Sequence, residues 1–317
     1  MTKNNLYMLV FLAVALFLFP LVERNLYYQT LMIFVGIHVL VALGLTMLIG
    51  FAGQLSLCQA AFYGIGAYTS GVLSIQTGWS PCVTVVLAVL LACAIALILG
   101  IPALKLKGHY LAMATLGFGE IVSIVFKEWG SLTGGPSGLV GIPTFSLGGL
   151  VLDTDTSYYV FVWLVVIGAV IFLINLANSR VGRALQALKR SEDAAETMGV
   201  PVARYKIKVF VLSAALAALG GALYAHYVTV ISPESFNVVF SLVLITMVVS
   251  GGLVSVWGGV IGASIFTILP DALQQFEDYS IVTYGLILLL ILMFMPKGIA
   301  GLISAGAQKA RKSFANN

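Results

Sequence analysis

The stretch "GRALQALKRSEDAAETMGVPVARYKIKVF", residues 182–210, interrupts an otherwise apolar chain of 317 residues. Residues 180–208 form a charged island with ten charged side chains, whereas the chain as a whole is 60% hydrophobic and only 9% charged. Because a water-soluble domain does not need so much apolar surface, this composition predicts a polytopic membrane protein. Within the hydrocarbon, a single chain satisfies its backbone hydrogen bonds by forming helices, so the spans are predicted to be α-helical.

Apolar runs on both sides of the island predict the membrane spans, because a hydrocarbon thickness of ~30 Å requires ~20 apolar residues in a helix. The candidate transmembrane or half-spanning segments are 6–22, 29–50, 57–76, 82–104, 108–127, 157–178, 209–230, 238–252, 256–270 and 280–296. The predicted fold is an all-α membrane bundle of about ten segments, in one domain over residues 1–317. We interpret 6–22 as a retained span, because no small-x-small cleavage site of a signal peptide follows it. The sequence "SGGLVSVWGG" predicts that 238–252 and 256–270 are two halves of a broken helical hairpin.

The basic residues orient these segments. If the N-terminus is cytoplasmic and the chain crosses ten times, 14 of the 16 Lys and Arg residues lie on the cytoplasmic side, leaving only Arg24 and Lys127 outside. This asymmetry is what the positive-inside rule predicts. It places both termini and the charged island in the cytoplasm, and the loop 128–156 on the other side.

A short helix with marked ends is predicted inside the island. Ser191 can cap its first turn, Gly199 suits the left-handed residue after its last turn, and Pro201 prevents continuation. Ala194, Ala195 and Met198 would form a small apolar patch. Such a helix is suited to a groove of a partner protein. The alternative is a basic loop resting on anionic lipid head groups, which Arg180, Arg183, Lys189 and Arg190 would also suit.

Several classes of chemistry have no support in the sequence. There is no GxxxxGK[ST] phosphate-binding loop, and neighbouring acids occur only in predicted loops, which argues against a membrane enzyme. The cysteines and histidines are far apart and lie in or beside apolar segments, so neither a metal site nor redox chemistry is predicted. They are Cys58, Cys82, Cys93, His38, His109 and His226. The net charge of +4 is divided by membrane side and does not predict nucleic-acid binding.

Glu120, in "TLGFGEIVSIVFKE", is the clear carboxylate inside a predicted span. A carboxylate near mid-span costs several kcal/mol unless it is paired, hydrated or protonated. Two interpretations fit equally well, a buried structural network or a polar group on a translocation path. Gly117 and Gly119 beside it would let another backbone approach.

Several motifs resemble one family of membrane proteins. "GRALQALKRSEDAAETMGV" followed by "RYKIKVFVLSAALAALGGALYA" resembles the cytoplasmic coupling loop and the following span of ABC importer permeases of the branched-chain amino acid (Liv) type. Four further stretches match in the same order, "GQLSLCQAAFYGIGAYTSG" (53–71), "GHYLAMATLGFGEIV" (108–122), "LTGGPSGLVGIP" (132–143) and "MPKGIAGL" (295–302). The third is typical of the LivM-like rather than the LivH-like branch.

The resemblance implies the partners and the location of the chain. It implies a homologous LivH-like permease subunit, two cytoplasmic ATP-binding subunits that bind the ATP, and a periplasmic or lipid-anchored substrate-binding protein. The chain itself would hold no cofactor, would not be an enzyme, and would lie among the lipids of a bacterial or archaeal cytoplasmic membrane. The loop 180–208 would couple it to the ATPases. The coupling residues would be Glu192, Ala194, Ala195, Met198 and Gly199, although Asp193 interrupts the Glu-Ala-Ala order of the motif.

The implied function is inward transport of branched-chain amino acids by alternating access. The translocation path would be lined by Glu120, Thr115, Gly117, Gln54, Ser56 and Ser255. Urea or short amides carried by the same class of importer are the alternative, and a stand-alone secondary transporter is a weaker one. A secondary transporter would leave the capped cytoplasmic helix unexplained.

Overall fold

A computed structural model describes most of the chain. The described residues are 3–22, 25–106, 108–147, 150–152, 154–273 and 285. The helices are α1 (Lys3–Val22), α2 (Leu26–Leu45), α3 (Gln59–Thr77), α4 (Pro81–Ala103), α5 (His109–Glu128), α6 (Gly130–Thr133), α7 (Asp155–Asn178), α8 (Arg180–Arg190), α9 (Glu192–Thr197), α10 (Val202–Val228), α11 (Val238–Gly251) and α12 (Val256–Leu273). The predicted all-α membrane bundle is therefore confirmed.

The predicted count of about ten segments is not confirmed by the described part of the chain. Six of the described helical segments, those that include α2, α4, α5, α7, α10 and α12, are long and apolar enough to cross a membrane. Two more apolar helices are shorter, Tyr7–Pro20 and Val238–Gly251. Polar and small residues lower the hydropathy of α3, although its length would suffice. The predicted segment 280–296 lies outside the described residues, apart from residue 285.

The core forms around α2, α3 and α10. Residues of α2 from Ile33 onward are almost all buried, and α10 packs along α3 and α4. Glycines let these backbones approach closely, as the spacing in "GIGAYTSG" and "LGGALYA" predicts. A Cβ on Gly66 would lie 2.1 Å from the carbonyl oxygen of Ala218, and one on Gly221 would lie 1.8 Å from that of Tyr63. Larger side chains at either glycine would separate α3 from α10.

Two breaks in the helices meet at the end of the bundle that holds the island, which we call the charged end. The helix α2 continues as a π-helix, Thr46–Phe51, and then runs without helix to α3. The helices α11 and α12 are separated by residues 252–255, which confirms the predicted broken hairpin. The two breaks touch, since a Cβ on Gly50 would lie 1.6 Å from the carbonyl oxygen of Leu253.

The other end of the bundle is covered by the loop 128–156 and is called the sheet end here. Its strand β1 (Leu139–Val140) pairs antiparallel with β4 (Val230–Ile231), which follows α10. A second hairpin joins β2 (Ser146–Leu147) to β3 (Leu150–Val151). The backbone ladder from β1 to β4 ties the loop to the end of α10.

Candidate functional site

The helix α8 forms the first half of the charged island and lies on the bundle. The Ser179 hydroxyl caps it by accepting from the backbone N–H of Val181, at 3.1 Å, and of Gly182. Leu185 and Leu188 are buried, whereas the basic side chains of the helix are partly or fully exposed. The helix is therefore amphipathic, with its apolar side on the protein.

The helix α9 has both predicted end signals. The Ser191 hydroxyl accepts from the N–H of Ala194 at 3.2 Å, and Gly199 has a left-handed φ of 80°. The N–H of Val200 donates to the carbonyl of Ala195 at 3.0 Å, which closes the helix before Pro201. The prediction of this helix from its capping residues is therefore confirmed.

The predicted apolar patch on α9 is only partly correct. Met198 is 83% exposed and Ala194 is exposed too, so both are available to a partner. Ala195 is only 4% exposed, because it faces the bundle and not the solvent. Successive helical residues point about 100° apart, so the side chain after Ala194 turns inward. The surface that α9 offers is therefore Ala194 with Met198.

Two lysines form polar contacts between the charged island and the bundle. The Lys206 ammonium of α10 pairs with the Glu192 carboxylate at 2.5 Å, and the lysine is 4% exposed in the chain. The Lys189 ammonium donates to the carbonyl of Gly50 at 2.7 Å. Desolvation lowers the pKa of Lys189 below its ordinary value. Gly50 also touches the Leu253 carbonyl, so the island is connected to both helix breaks at the charged end.

Three of the predicted path residues lie inside the chain. Gln54 is 4%, Ser56 is 1% and Thr115 is 0% exposed. The Thr115 hydroxyl accepts from the N–H of Leu57 at 3.0 Å, so the non-helical segment before α3 is held against α5. The Ser56 hydroxyl lies 3.2 Å from Cys58 Sγ. In the single chain these residues do not line an open path, and their predicted role stays a prediction.

Glu120 lies on a different side of α5. It is exposed, and within the part of the chain that the structure describes it has no hydrogen-bonding or ion-pairing partner. Five residues along a helix turn through about 140° net, which separates it from Thr115. Gly117 has open space beside it. Glu120 is therefore not buried within the single chain, and both of its predicted roles, in a structural network or on a translocation path, stay predictions.

Ser255 lies on a different element from the other predicted path residues. It is half-buried in the break between α11 and α12, where its carbonyl accepts from the N–H of Gly258 at 2.9 Å and starts α12. The structure shows no hydrogen bond from it to Gln54, Ser56, Thr115 or Glu120 among the described residues. The predicted path set is thus divided into an inner group, an outer carboxylate and a hinge residue.

A polar cluster that the sequence did not reveal lies at the sheet end. His226 Nδ1 is 2.8 Å from the carbonyl oxygen of Pro143, and its Nε2 is 2.8 Å from the Ser70 hydroxyl. Thr84 lies within hydrogen-bonding distance of Ser70 and of Ser74. His226 is therefore a packed histidine, 1% exposed, within this cluster. Among the described residues, no group of three His, Cys, Asp or Glu side chains could hold a metal ion.

A bundle in which six of the described helical segments are long and apolar enough to cross a membrane defines a class, the multi-pass membrane proteins. Comparison with known proteins identifies the family. Residues 27–295 match the family described as "Branched-chain amino acid transport system / permease component", and the chain belongs to this family.

Three relatives illustrate the similarity. The high-affinity branched-chain amino acid transport system permease protein LivM of Escherichia coli (strain K12) is 34% identical over 286 residues, covering 83% of this chain and 67% of the relative. LivH of the same strain is 29% identical over 287 residues, covering 83% and 91%. The probable branched-chain amino acid transport permease protein LivM of Methanocaldococcus jannaschii is 24% identical over 320 residues, covering 85% and 92%. No solved structure matches the chain.

Proposed function

We propose that this chain is a permease subunit that imports branched-chain amino acids with energy from ATP hydrolysed in separate subunits. The substrate is inferred from the names of the LivM and LivH relatives. The observation that carries the coupling part of the proposal is the attachment of the island. A surface helix that offers Met198 is joined by Glu192 and Lys206 to α10, one of the helices long enough to span the membrane.

The assembly would contain four kinds of subunit. A LivH-like permease would pair with this chain, two cytoplasmic ATP-binding subunits would bind the ATP, and a periplasmic or lipid-anchored binding protein would deliver the solute. In this arrangement the termini and the charged island are cytoplasmic. Ala194 and Met198 would bind in a groove of an ATP-binding subunit. The apolar face of an amphipathic helix binds in a groove in the same way in other protein complexes.

Coupling would run from α9 to the spans through charged contacts. Movement of α9 would displace Glu192 and with it Lys206 on α10. Movement of α8 would displace Lys189, whose ammonium donates to Gly50 beside the α11–α12 break. Both connections act on the charged end of the bundle and would rock the helices between inward-open and outward-open arrangements.

The exposed side of α5 would face the partner permease across the translocation path. A carboxylate that faces lipid at mid-span costs several kcal/mol. The position of Glu120 therefore indicates that this side of α5 is covered by protein or water and not by lipid. Gly117, one turn away, leaves room beside it. Gln54, Ser56, Thr115 and Ser255 lie closer to the charged end and would belong to the same route.

Uptake by the reconstituted importer tests this function. The full complex is placed in proteoliposomes with ATP on the ATPase side, and labelled leucine, isoleucine, valine, urea and acetamide are compared. We expect the three branched-chain amino acids to accumulate only when ATP and the binding protein are present. Accumulation of urea or acetamide without leucine would overturn the substrate, and accumulation without the ATPase subunits would indicate a stand-alone transporter.

A further inference from the structure

An apolar cavity of about 200 Å³ lies at the charged end, where α7, α8 and α10 meet. Each helix contributes two lining residues that are four positions apart and therefore lie on one face of it. These residues are Phe172 and Leu176 of α7, Val181 and Leu185 of α8, and Lys208 and Leu212 of α10. Since one water needs only ~10–15 Å³ of such space, the cavity has room for part of a longer ligand.

The cavity extends from the charged end into the spanning part of the bundle. Both α7 and α10 are long and apolar enough to cross a membrane. At a rise of about 1.5 Å per residue, Leu212 lies about 6 Å beyond Lys208, and Phe172 lies about 9 Å before Asn178, the last residue of α7. Phe172 is 52% exposed, so the rest of the described chain does not close off this inner part. The cavity thus has an apolar inner part and a cation at its outer part.

Three cations flank the outer part of the cavity. Lys208 belongs to the lining, and its ammonium lies 6.0 Å from the centre of the Tyr205 ring. Arg204 is one turn before Lys208 on α10, and Arg180 comes directly before Val181 on α8. All three cations are exposed, and none forms an ion pair with a carboxylate among the residues that the structure describes. They are therefore available to an anionic ligand.

The lining residues indicate the class of that ligand. A subunit that approaches from the aqueous side would meet the cations but not Phe172, which lies deeper along a span. A free amino acid would leave its ammonium without a partner, because no described carboxylate or side-chain amide lines the cavity. A molecule that carries an anionic group beside a long apolar chain suits both parts. Anionic phospholipids have this structure, and basic pockets between spans bind their head groups.

We propose that this cavity binds one anionic phospholipid of the leaflet at the charged end. Its phosphate accepts from the Lys208 ammonium and from the guanidinium groups of Arg204 and Arg180. One acyl chain lies between α7 and α10, in contact with Phe172 and Leu212. The lipid thereby joins the start of α8 to both neighbouring spans. This inference requires that the chain spans a membrane, and it is independent of the solute that is transported.

Photocrosslinking locates the lipid without any substitution in the protein. The assembled importer, in detergent micelles, is titrated with a phosphatidylglycerol that carries a diazirine in its acyl chain, and crosslinked peptides are identified by mass spectrometry. We expect saturable crosslinks in residues 172–176 and 205–212. Unlabelled phosphatidylglycerol should compete at least about tenfold better than phosphatidylcholine, since each cation near a membrane surface accounts for about fivefold in affinity for an anionic lipid.

Two outcomes of this experiment would overturn the site. Equal competition by the two lipids would show that the cations do not select the head group. Absence of crosslinks from both segments would show that a partner subunit, or another part of the chain, covers the cavity in the assembled importer.

Inorganic phosphate distinguishes a lipid from a soluble anion. At constant ionic strength, it should compete at least about tenfold more weakly than phosphatidylglycerol, because burial of two methylene groups alone accounts for about tenfold in affinity. Equal competition would show that the cations bind phosphate without help from the apolar cavity, which contradicts the proposal.

Substitutions that remove charge test the head-group contacts. Lys208→Gln should weaken the half-saturating concentration of the photoactivatable lipid about fivefold, and Lys208→Gln with Arg204→Gln about 25-fold. Lys127→Gln is the matched control, because Lys127 is exposed in the last turn of α5, on the helix that begins at the charged end. Its half-saturating concentration should equal that of the wild type. Equal losses in Lys208→Gln and Lys127→Gln would show that net charge, and not this cavity, attracts the lipid.

Discussion

The two ends of α10 are attached to their surroundings in different ways. At the charged end, Lys206 pairs with Glu192, beside a second cavity, of about 180 Å³, and two helix breaks. At the sheet end, a β-ladder follows the helix, and His226 lies within hydrogen-bonding distance of Pro143 and Ser70. Paired backbones and a buried network resist displacement, whereas side-chain contacts beside a cavity leave room to move. From this difference we predict that α10 moves more at its charged end than at its sheet end.

The largest expected effect comes from destroying the surface of α9. Met198→Asp combined with Gly199→Pro places a charge on the exposed apolar side chain and forces φ of residue 199 away from 80°. If this removes about 3 kcal/mol of docking energy, ATP-dependent uptake should fall on the order of 100-fold. Co-purification of the ATPase subunits should fall with it, while the chain remains in the membrane. Normal coupling in this variant would count heavily against the role of the island.

A smaller loss is expected when the link between α9 and α10 is cut. Lys206→Met leaves Glu192 without its cation, but that carboxylate is 29% exposed and can be partly hydrated. We therefore expect uptake per ATPase subunit bound to fall about tenfold, or about 1.4 kcal/mol, which is less than the cost of breaking a fully buried pair. Arg190→Met is the control, because Arg190 is exposed nearby. Equal losses in the two variants would show that the ion pair does not transmit movement.

The sheet end should respond to substitution in stability more than in coupling. His226→Leu leaves the Pro143 carbonyl without its partner, which should lower the free energy of unfolding by about 1–2 kcal/mol. Thermal denaturation of the purified chain measures this change. Uptake well below the melting temperature should stay within about twofold of the wild type, since such a change leaves nearly all of a typical protein folded. A selective loss of uptake, with unchanged stability, would remove the distinction between the two ends.

The smallest effect is expected at the N-cap of α9. Ser191→Ala removes the acceptor for the N–H of Ala194 and should cost about 1 kcal/mol, or about fivefold in the ratio of folded to unfolded α9. Hydrogen exchange of the α9 amides measures this ratio. Ser191→Asp keeps a capping oxygen and should restore the protection. Equal exchange in all three proteins would show that packing against the bundle, and not the cap, holds α9.

The sequence predicted those features of the fold that depend on residues close together in the chain. The apolar runs located the helices, the glycines at 251 and 252 located the broken hairpin, and the cap residues located α9. The inward turn of Ala195 could not be predicted, because it depends on where the bundle lies relative to α9. The Glu192–Lys206 pair joins residues on two helices, and no periodicity or spacing marks it.

The candidate path was predicted less well than the helices. Polar residue type and the resemblance selected Gln54, Ser56 and Thr115, but residue type does not reveal that all three are buried. Glu120 was selected because it is charged within an apolar run, and the structure adds that it lies on the surface of the single chain. Burial depends on contacts between distant parts of the chain, such as that of Leu57 with Thr115, which a single sequence does not show.

The partial burial of the Glu192–Lys206 pair has a consequence for the conditions under which the importer works. Salt weakens the attraction between exposed charges strongly, because mobile ions screen it over about 8–10 Å at physiological ionic strength, but it weakens buried pairs much less. A connection built on a lysine that is 4% exposed is therefore shielded from the cell's ionic environment. Changes in the surrounding salt, such as those that accompany osmotic stress, would leave this contact largely intact.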